Sequence, residues 1–213
     1  MTSHTRQPDT GKDNPAMTSP NDINDLLTLA RENGVSDALF IRPETIPVDH
    51  KFAGFCKEPG CPGYGQSMSC PPHAKGPDWF LDRIKTYTRA LVFKFDVPTT
   101  SLLGCDRHDL LGLVHETAAR LEGAAREMGF SRAMGFAGGS CKEIFCRDHA
   151  DCRVVRDKKP CRNPLRARQS MSAVGINFLE LSKSVDWKME IITQNTDPER
   201  VPMGIVAGLV LID

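Results

Sequence analysis

Seven of the chain's eight cysteines fall into two short segments, and their spacing suggests a chemistry. They are Cys56, Cys61 and Cys70 in the first segment, and Cys141, Cys146, Cys152 and Cys161 in the second. Thiolates are soft ligands that select zinc, copper(I) or iron–sulfur clusters. Glycine and proline are frequent between these cysteines and let a backbone curl around a bound group. The sequence therefore predicts that the chain binds metal through both segments.

The first segment has the spacing Cys56-x4-Cys61-x8-Cys70. Loose, proline-containing cysteine loops are typical of iron–sulfur clusters, whereas structural zinc more often uses a tight C-x2-C pair, which this sequence lacks. Three thiolates leave one iron of a four-iron cluster without a protein thiolate, open to a substrate. Alternatively His73 or Cys105 completes the ligand set. A lone cysteine is more often a small buried apolar residue, and we expect that of Cys105.

The second segment supplies four thiols, a complete set for a four-iron cluster or for tetrahedral zinc. His149 lies inside this segment and could replace one thiol, but we favour a solvated loop histidine. The turn at Gly138, Gly139 and Ser140 could donate backbone N–H groups to sulfur, which tunes such sites.

Basic residues surround the four cysteines. They are Arg147, Arg153, Arg156, Lys158, Lys159, Arg162, Arg166 and Arg168. Their positive charge would offset a negatively charged cluster. The same charge could instead attract a small anionic substrate or an acidic redox partner protein, and both interpretations stay open.

Acid–base candidates lie beside the first three thiols. Tyr64 stands between two of the cysteines, and His73 follows the third. We predict these two side chains as catalytic groups, with a packed tyrosine ring as the alternative for Tyr64.

Apolar periodicity and turn residues predict the elements that must position these segments. Helices are expected at residues 21–33, 77–87, 106–128, 164–172 and 177–184. Strands are expected at residues 37–41, 89–97, 131–136, 188–193 and 203–212, the last two as a hairpin. This order indicates a single α/β or α+β domain with a mixed sheet flanked by helices and two cysteine-rich metal-binding loops. Both loops follow strand ends, where such folds place their sites.

Charge and hydropathy exclude several function classes. Lys plus Arg equals Asp plus Glu at 27 each, so no overall field favours nucleic acid or an anionic membrane. No apolar run approaches the roughly 20 residues that span a bilayer. Residues 1–20 are polar, lack a signal-peptide core and are expected to be a disordered tail before a metal-binding domain at 21–213. We expect a cytoplasmic protein, whose reduced thiols bind metal rather than form disulfides.

Two motifs resemble a known family. The stretches CPGYGQSMSCPP and GGSCKEIFC, with the later PCRNPLRARQSMSAVGIN, are similar to the uncharacterised "predicted metal-binding protein" family of anaerobic bacteria and archaea. The resemblance extends from about residue 37 to about residue 192. It implies cysteine-ligated metal, expected to be iron–sulfur, with all seven clustered cysteines as ligands. Cys105 matches no motif position, and Met68 stands where the family often has tryptophan.

Three functions fit these observations. The first is an iron–sulfur oxidoreductase or reductive lyase with two [4Fe-4S] clusters, in which the four-cysteine cluster relays electrons and the three-cysteine cluster binds a small molecule. The second is an electron-transfer or accessory subunit without its own substrate. The third is a structural zinc protein. The first two imply a redox partner protein.

Overall fold

A computed structural model describes residues 22–213, which fold into one mixed five-stranded sheet with helices on both faces. The strands are β1 (Asp37–Ile41), β2 (Arg89–Pro98), β3 (Met134–Ala137), β4 (Gln169–Ser170) and β5 (Met203–Ile212). They are ordered β1-β2-β5-β3-β4, and only the β3–β4 pair is parallel. The predicted mixed sheet flanked by helices is therefore confirmed. The disordered tail predicted for residues 1–20 lies outside the described residues.

Eight α-helices occur in the described part of the chain. They are α1 (Asp25–Glu32), α2 (His50–Gly54), α3 (Pro77–Ile84), α4 (Thr99–Leu103), α5 (Arg107–Glu127), α6 (Cys141–Phe145), α7 (Arg153–Asp157) and α8 (Phe178–Ser184). None of the helices in residues 22–213 has the length and apolar character of a membrane span.

The centre of the sheet is the long antiparallel pair β2–β5, aligned from Arg89 opposite Ile212 to Pro98 opposite Met203. Side chains alternate along β2, so Leu91 and Phe93 face one side of the sheet and Val92 faces the other. Both sets are buried because helices cover both faces.

Helices α1 and α5 cover the first face. The longest, α5, buries Val114, Ala118, Leu121 and Ala125, which follow the 3.6-residue period of one helix face. Helices α3 and α8 lie against the second face, where Phe80 and other apolar side chains form a second core cluster.

Several predicted elements are confirmed. Strands 37–41 and 203–212 have the predicted bounds, and strand 89–97 extends by one residue. The helices predicted at 77–87, 106–128 and 177–184 form within these ranges, and Asn177 caps the last one by accepting a hydrogen bond from the Glu180 N–H (3.2 Å). The first helix begins at Asp25, later than predicted.

Two predicted elements are wrong. Residues 164–172 do not form a helix, because Gln169 and Ser170 pair with the edge of β3 instead. Residues 188–193 do not form a strand or a hairpin with β5. Strand β5 pairs with β2 along its whole length and with β3 only at residues 209–211, and residues 188–193 lie beside its first half without pairing to it.

Sheet topology brings the two cysteine segments together. The parallel connection from β3 to β4 consists of residues 138–168, which we call the four-cysteine segment. Residues 56–74, the three-cysteine segment, reach the same end of the sheet. There the Ser170 backbone N–H of β4 donates to the Ser69 carbonyl (3.1 Å).

Candidate functional site

Short backbone turns shape the three-cysteine segment. A single wide turn over Cys56–Gly60 closes with the Cys61 N–H donating to the Cys56 carbonyl (3.0 Å). The last cysteine opens another turn, in which the Ala74 N–H donates to the Cys70 carbonyl (2.9 Å). These turns fold the chain back so that all three thiols reach the same space.

The three thiols line one cavity of about 600 Å³, its open mouth included. Other elements complete its wall with Arg107, His108, Leu111, Gly139, Ser140, Glu143, Ser170 and Ser172. The cavity thus combines soft sulfur ligands with polar side chains from α5 and β4. A volume of this size lies within the range of small-molecule sites.

The Ser140 hydroxyl is an unsatisfied polar group at this cavity. Ser140 is 3% exposed, and its Oγ has no hydrogen-bond partner in residues 22–213. Leaving a buried hydroxyl unpaired costs roughly 1–3 kcal/mol. A group with hydrogen-bond acceptors in the cavity would remove that cost, and thiolate or sulfide sulfur is such an acceptor.

The four thiols of the second segment line a separate, smaller cavity of about 300 Å³. Asn163 lies beside them and donates two hydrogen bonds to sulfur. Its backbone N–H donates to Cys161 Sγ (3.3 Å), and its side-chain amide donates to Cys146 Sγ (3.3 Å). N–H donors to sulfur stabilise the thiolate form that metals require.

Two serines join the cavities. Ser67 Oγ lies 2.9 Å from Ser69 Oγ, and Ser69 Oγ lies 3.6 Å from Cys70 Sγ. Ser69 also accepts a hydrogen bond from the Cys141 backbone N–H (3.2 Å). Because Ser67 lines the four-thiol cavity, this buried pair spans the wall between the two sites.

The thiol groups influence one another's pKa. Burial raises the pKa of Cys56, and the negative charges of Cys61 and Cys70 add to the shift. Burial also raises the pKa of Cys141, hydrogen bonds from the two serines oppose this, and the charges of Cys70 and Cys161 raise it further. Negative charge at Cys70 in one cavity therefore raises the pKa of Cys141 in the other. Ionised thiolates at these positions need compensating positive charge, such as a metal provides.

The thiols do not converge on one point. Among residues 22–213, no three His, Cys, Asp or Glu side chains lie close enough together to bind a single metal ion. Tetrahedral zinc requires all its sulfurs at about 2.3 Å from the ion.

His115 binds the C-terminal end of the four-cysteine segment. It lies fully buried on α5, where its Nδ1 accepts a hydrogen bond from the Arg168 backbone N–H (3.0 Å). Burial lowers the pKa of His115 to about 4; the Gly138 carbonyl opposes this and the Arg168 charge adds to it. Arg168 also forms an ion pair with buried Glu122, whose carboxylate accepts the Gly135 N–H (2.6 Å). The scaffold thereby fixes the segment at both ends.

The other sequence candidates have different positions relative to the thiols. Tyr64 and His73 are half-buried, and neither lines the three-thiol cavity, so their catalytic role stays a prediction. Cys105 is exposed and donates to Asp106 (3.5 Å), which corrects the expectation of a buried residue. His149 is exposed, as expected for a solvated loop histidine.

Arg107 and His108 are among the polar residues of the three-thiol cavity that sequence reasoning missed. They begin helix α5 and lie far from the cysteine motifs in sequence. Nothing in their local pattern distinguishes them from a solvated first turn.

Part of the basic cluster is neutralised locally. Arg156 pairs with Asp151 and Asp157, and Arg166 pairs with Glu116. The remaining basic side chains form no ion pair in the described part of the chain. They are Arg147, Arg153, Lys158, Lys159 and Arg162.

Among the comparisons with known proteins, one match bears on the thiol-lined cavities. No curated protein and no solved structure matches the chain. The family model described as "Predicted metal-binding protein (DUF2284)" matches residues 39–212, which include part of β1, all of β2 to β5 and all seven clustered cysteines. The chain therefore belongs to this family of predicted metal-binding proteins.

Proposed function

We propose that the chain binds two [4Fe-4S] clusters and carries out reductive chemistry on a small molecule. The observation that carries the proposal is the division of seven thiols between two adjoining cavities, three in one and four in the other. Family membership supports metal binding, and the donor set points to iron–sulfur.

The four-thiol cavity fits a closed site. It offers a complete ligand set and N–H donors to two of its sulfurs. Cys141, Cys146, Cys152 and Cys161 would hold the cluster. The Asn163 amides would stabilise the charge on its sulfurs, and the unpaired basic residues nearby would reduce the cost of burying it.

The three-thiol cavity fits an open site. Cys56, Cys61 and Cys70 would hold the cluster, and three thiols would leave one iron without a protein thiolate. When bound, the clusters would supply electron transfer at the closed site and a Lewis-acidic iron at the open one. The Ser140 hydroxyl would donate a hydrogen bond to a sulfur or to a bound molecule.

Two polar side chains in the wall of the open site have proposed roles in the reaction. His108 is the imidazole in the cavity wall, and we propose it as the group that gives a proton to the bound molecule. Arg107 would hold a negative charge on that molecule. Tyr64 and His73 remain secondary acid–base candidates at the edge of the same segment.

Electrons would come from a redox partner protein. The unpaired Arg147, Lys159 and Arg162 on the four-cysteine segment favour a partner with an acidic surface. A reducing compartment such as the cytoplasm would keep the thiols available.

Metal analysis under anaerobic conditions tests the proposal. We expect about eight irons and about eight acid-labile sulfides per chain, with broad absorbance near 400 nm (about four of each per cluster). A Cys161→Ser variant should lose about half of the iron, whereas the exposed control Cys105→Ser should keep all of it. Zinc without sulfide would replace the proposal by the structural zinc protein.

A second experiment distinguishes an enzyme from an electron carrier. The EPR spectrum of the reduced protein should change when a small thiol or cyanide is added, because the open site has no fourth protein thiolate. If no small ligand perturbs either EPR signal, the protein is an electron carrier and the proposed enzyme activity is refuted.

A further inference from the structure

A groove beside the three-thiol cavity has both apolar and polar walls and contains no thiol. It encloses about 990 Å³, open mouth included. Its walls come from the end of α4, the start of α5, residues 189–194 and the first half of β5. The apolar lining comprises Leu102, Leu103, Leu111, Ile191, Ile192 and Val206.

The groove is built into the fold at strand β5. A side chain at Gly204 would place its Cβ 2.5 Å from Leu102 Cδ1 and 3.1 Å from Ile192 Cγ1. Because Gly204 has no side chain, Leu102 of α4 and Ile192 of residues 189–194 can pack directly against strand β5. Ile191, next in the wall, is 63% exposed, so apolar surface remains uncovered there.

Arg107 links the groove to the three-thiol cavity. Together with Leu111 it lines both spaces. Arg107 is exposed and makes no hydrogen bond or ion pair within residues 22–213. A guanidinium at the junction of an apolar groove and a thiol-lined cavity is free to bind the two oxygens of a carboxylate.

Two carboxylates also belong to this region. Glu190 lines the groove, and Glu143 lines the three-thiol cavity. Neither lies at both, so Arg107 is the charged residue at the junction itself. A negative head group at the junction would lie on Arg107, and Glu190 borders only the groove that takes the apolar body.

We infer that the groove binds the apolar body of a small carboxylic acid, with its carboxylate on Arg107 beside the three-cysteine site. The inference rests on the proposed function only in treating that site as the reaction centre, since binding itself requires no iron. It names the substrate class of the site as apolar monocarboxylates.

Calorimetric titration of the anaerobically isolated full chain tests the inference with four probes. They are 4-phenylbutyrate, 4-phenylbutan-1-ol, 4-phenylbutylamine and acetate. We expect 4-phenylbutyrate to bind with a Kd on the order of millimolar or tighter. The alcohol and acetate should each bind at least about tenfold more weakly. The alcohol lacks the carboxylate that Arg107 would bind, and acetate lacks the apolar body that the groove would bind. Equal binding of acid and alcohol, tighter binding of the amine, or no binding of the acid would overturn the inference.

Variants locate the binding. Arg107→Gln should weaken 4-phenylbutyrate at least about tenfold, while Arg120→Gln, an exposed arginine on the same helix, should leave it within about twofold. Ile191→Glu should also weaken the acid, and its exposed position protects the fold. An equal Kd for Arg107→Gln and Arg120→Gln would refute the site.

Iron measured in the same samples separates the two proposals. An iron-free protein that binds 4-phenylbutyrate through Arg107 would refute the clusters and retain the groove. An iron-loaded protein that ignores all four probes would retain the clusters and refute the groove.

Discussion

Protonation of His115 provides a direct test of how the four-cysteine segment is held. The imidazole is buried on α5, and its Nδ1 accepts the Arg168 N–H only while that nitrogen is unprotonated. Burial lowers the pKa of His115 from 6.5 to about 4. The folded protein therefore excludes a proton that the unfolded chain accepts.

The sign and size of the effect follow from this difference. Above pH 6.5 the imidazole is neutral in both states, and its contribution to stability is fully present. As the pH falls from 6.5 towards 4, the unfolded state gains a proton first, so stability is lost. Each pKa unit corresponds to about 1.36 kcal/mol, which predicts a loss of about 2–3 kcal/mol between pH 7 and pH 4.5.

Urea unfolding of the wild type and His115→Asn across this pH range measures the loss. The asparagine oxygen replaces the Nδ1 acceptor but does not titrate here. Both proteins carry the same cysteines, so acid-dependent release of metal cancels in the difference between them. The difference in unfolding free energy, wild type minus His115→Asn, should be about 2–3 kcal/mol smaller at pH 4.5 than at pH 7.

A matched substitution of exposed His149 by asparagine should leave the wild-type pH dependence unchanged. Parallel pH curves for the wild type and His115→Asn would refute the reasoning. So would an NMR titration that assigned His115 a pKa near its ordinary value.

Four further substitutions have defined outcomes. Gly63→Ala should misalign the two segments and lower iron content, because the new Cβ would lie 2.8 Å from Ser140 Cβ; unchanged iron would contradict the contact. Gly135→Ala should destabilise the fold by about 1–3 kcal/mol in urea, since its Cβ would lie 2.9 Å from a backbone carbonyl of α5, whereas Gly123→Ala, with open space around it, should stabilise by up to about 1 kcal/mol. Asn163→Leu removes a donor to sulfur and should lower the midpoint potential of the four-cysteine site by tens of millivolts in an EPR redox titration, on the order expected for lost hydrogen bonds; an unchanged potential would exclude the role.

Strongly periodic elements could be predicted from the sequence. Strand 203–212 is a continuous apolar run, and α5 repeats its apolar residues at helical spacing, so burial alone selects their structure. Residues 188–193 failed for a nonlocal reason. Their alternation suits a strand, but one edge of β5 is paired with β2 along its whole length and the other with β3 at residues 209–211, and no local pattern reveals those pairings.

Residues 164–172 failed for a related reason. A helix there would satisfy local propensity, but the Arg168 N–H donates to His115 and Ser170 pairs with β3. Each contact joins residues far apart in the chain. Tertiary hydrogen bonds thus outweigh a weak helical preference.

The seven thiols and their division into two groups were evident from the sequence alone, because ligand chemistry depends on residue type and spacing. Only the tertiary structure decided that the two groups adjoin, that Ser67 and Ser69 span the wall between them, and that Arg107 joins one cavity to an apolar groove. Those relations come from the β3–β4 connection and from the docking of α5 on the sheet. Both are set by burial and strand pairing between distant residues, which spacing along the chain does not encode.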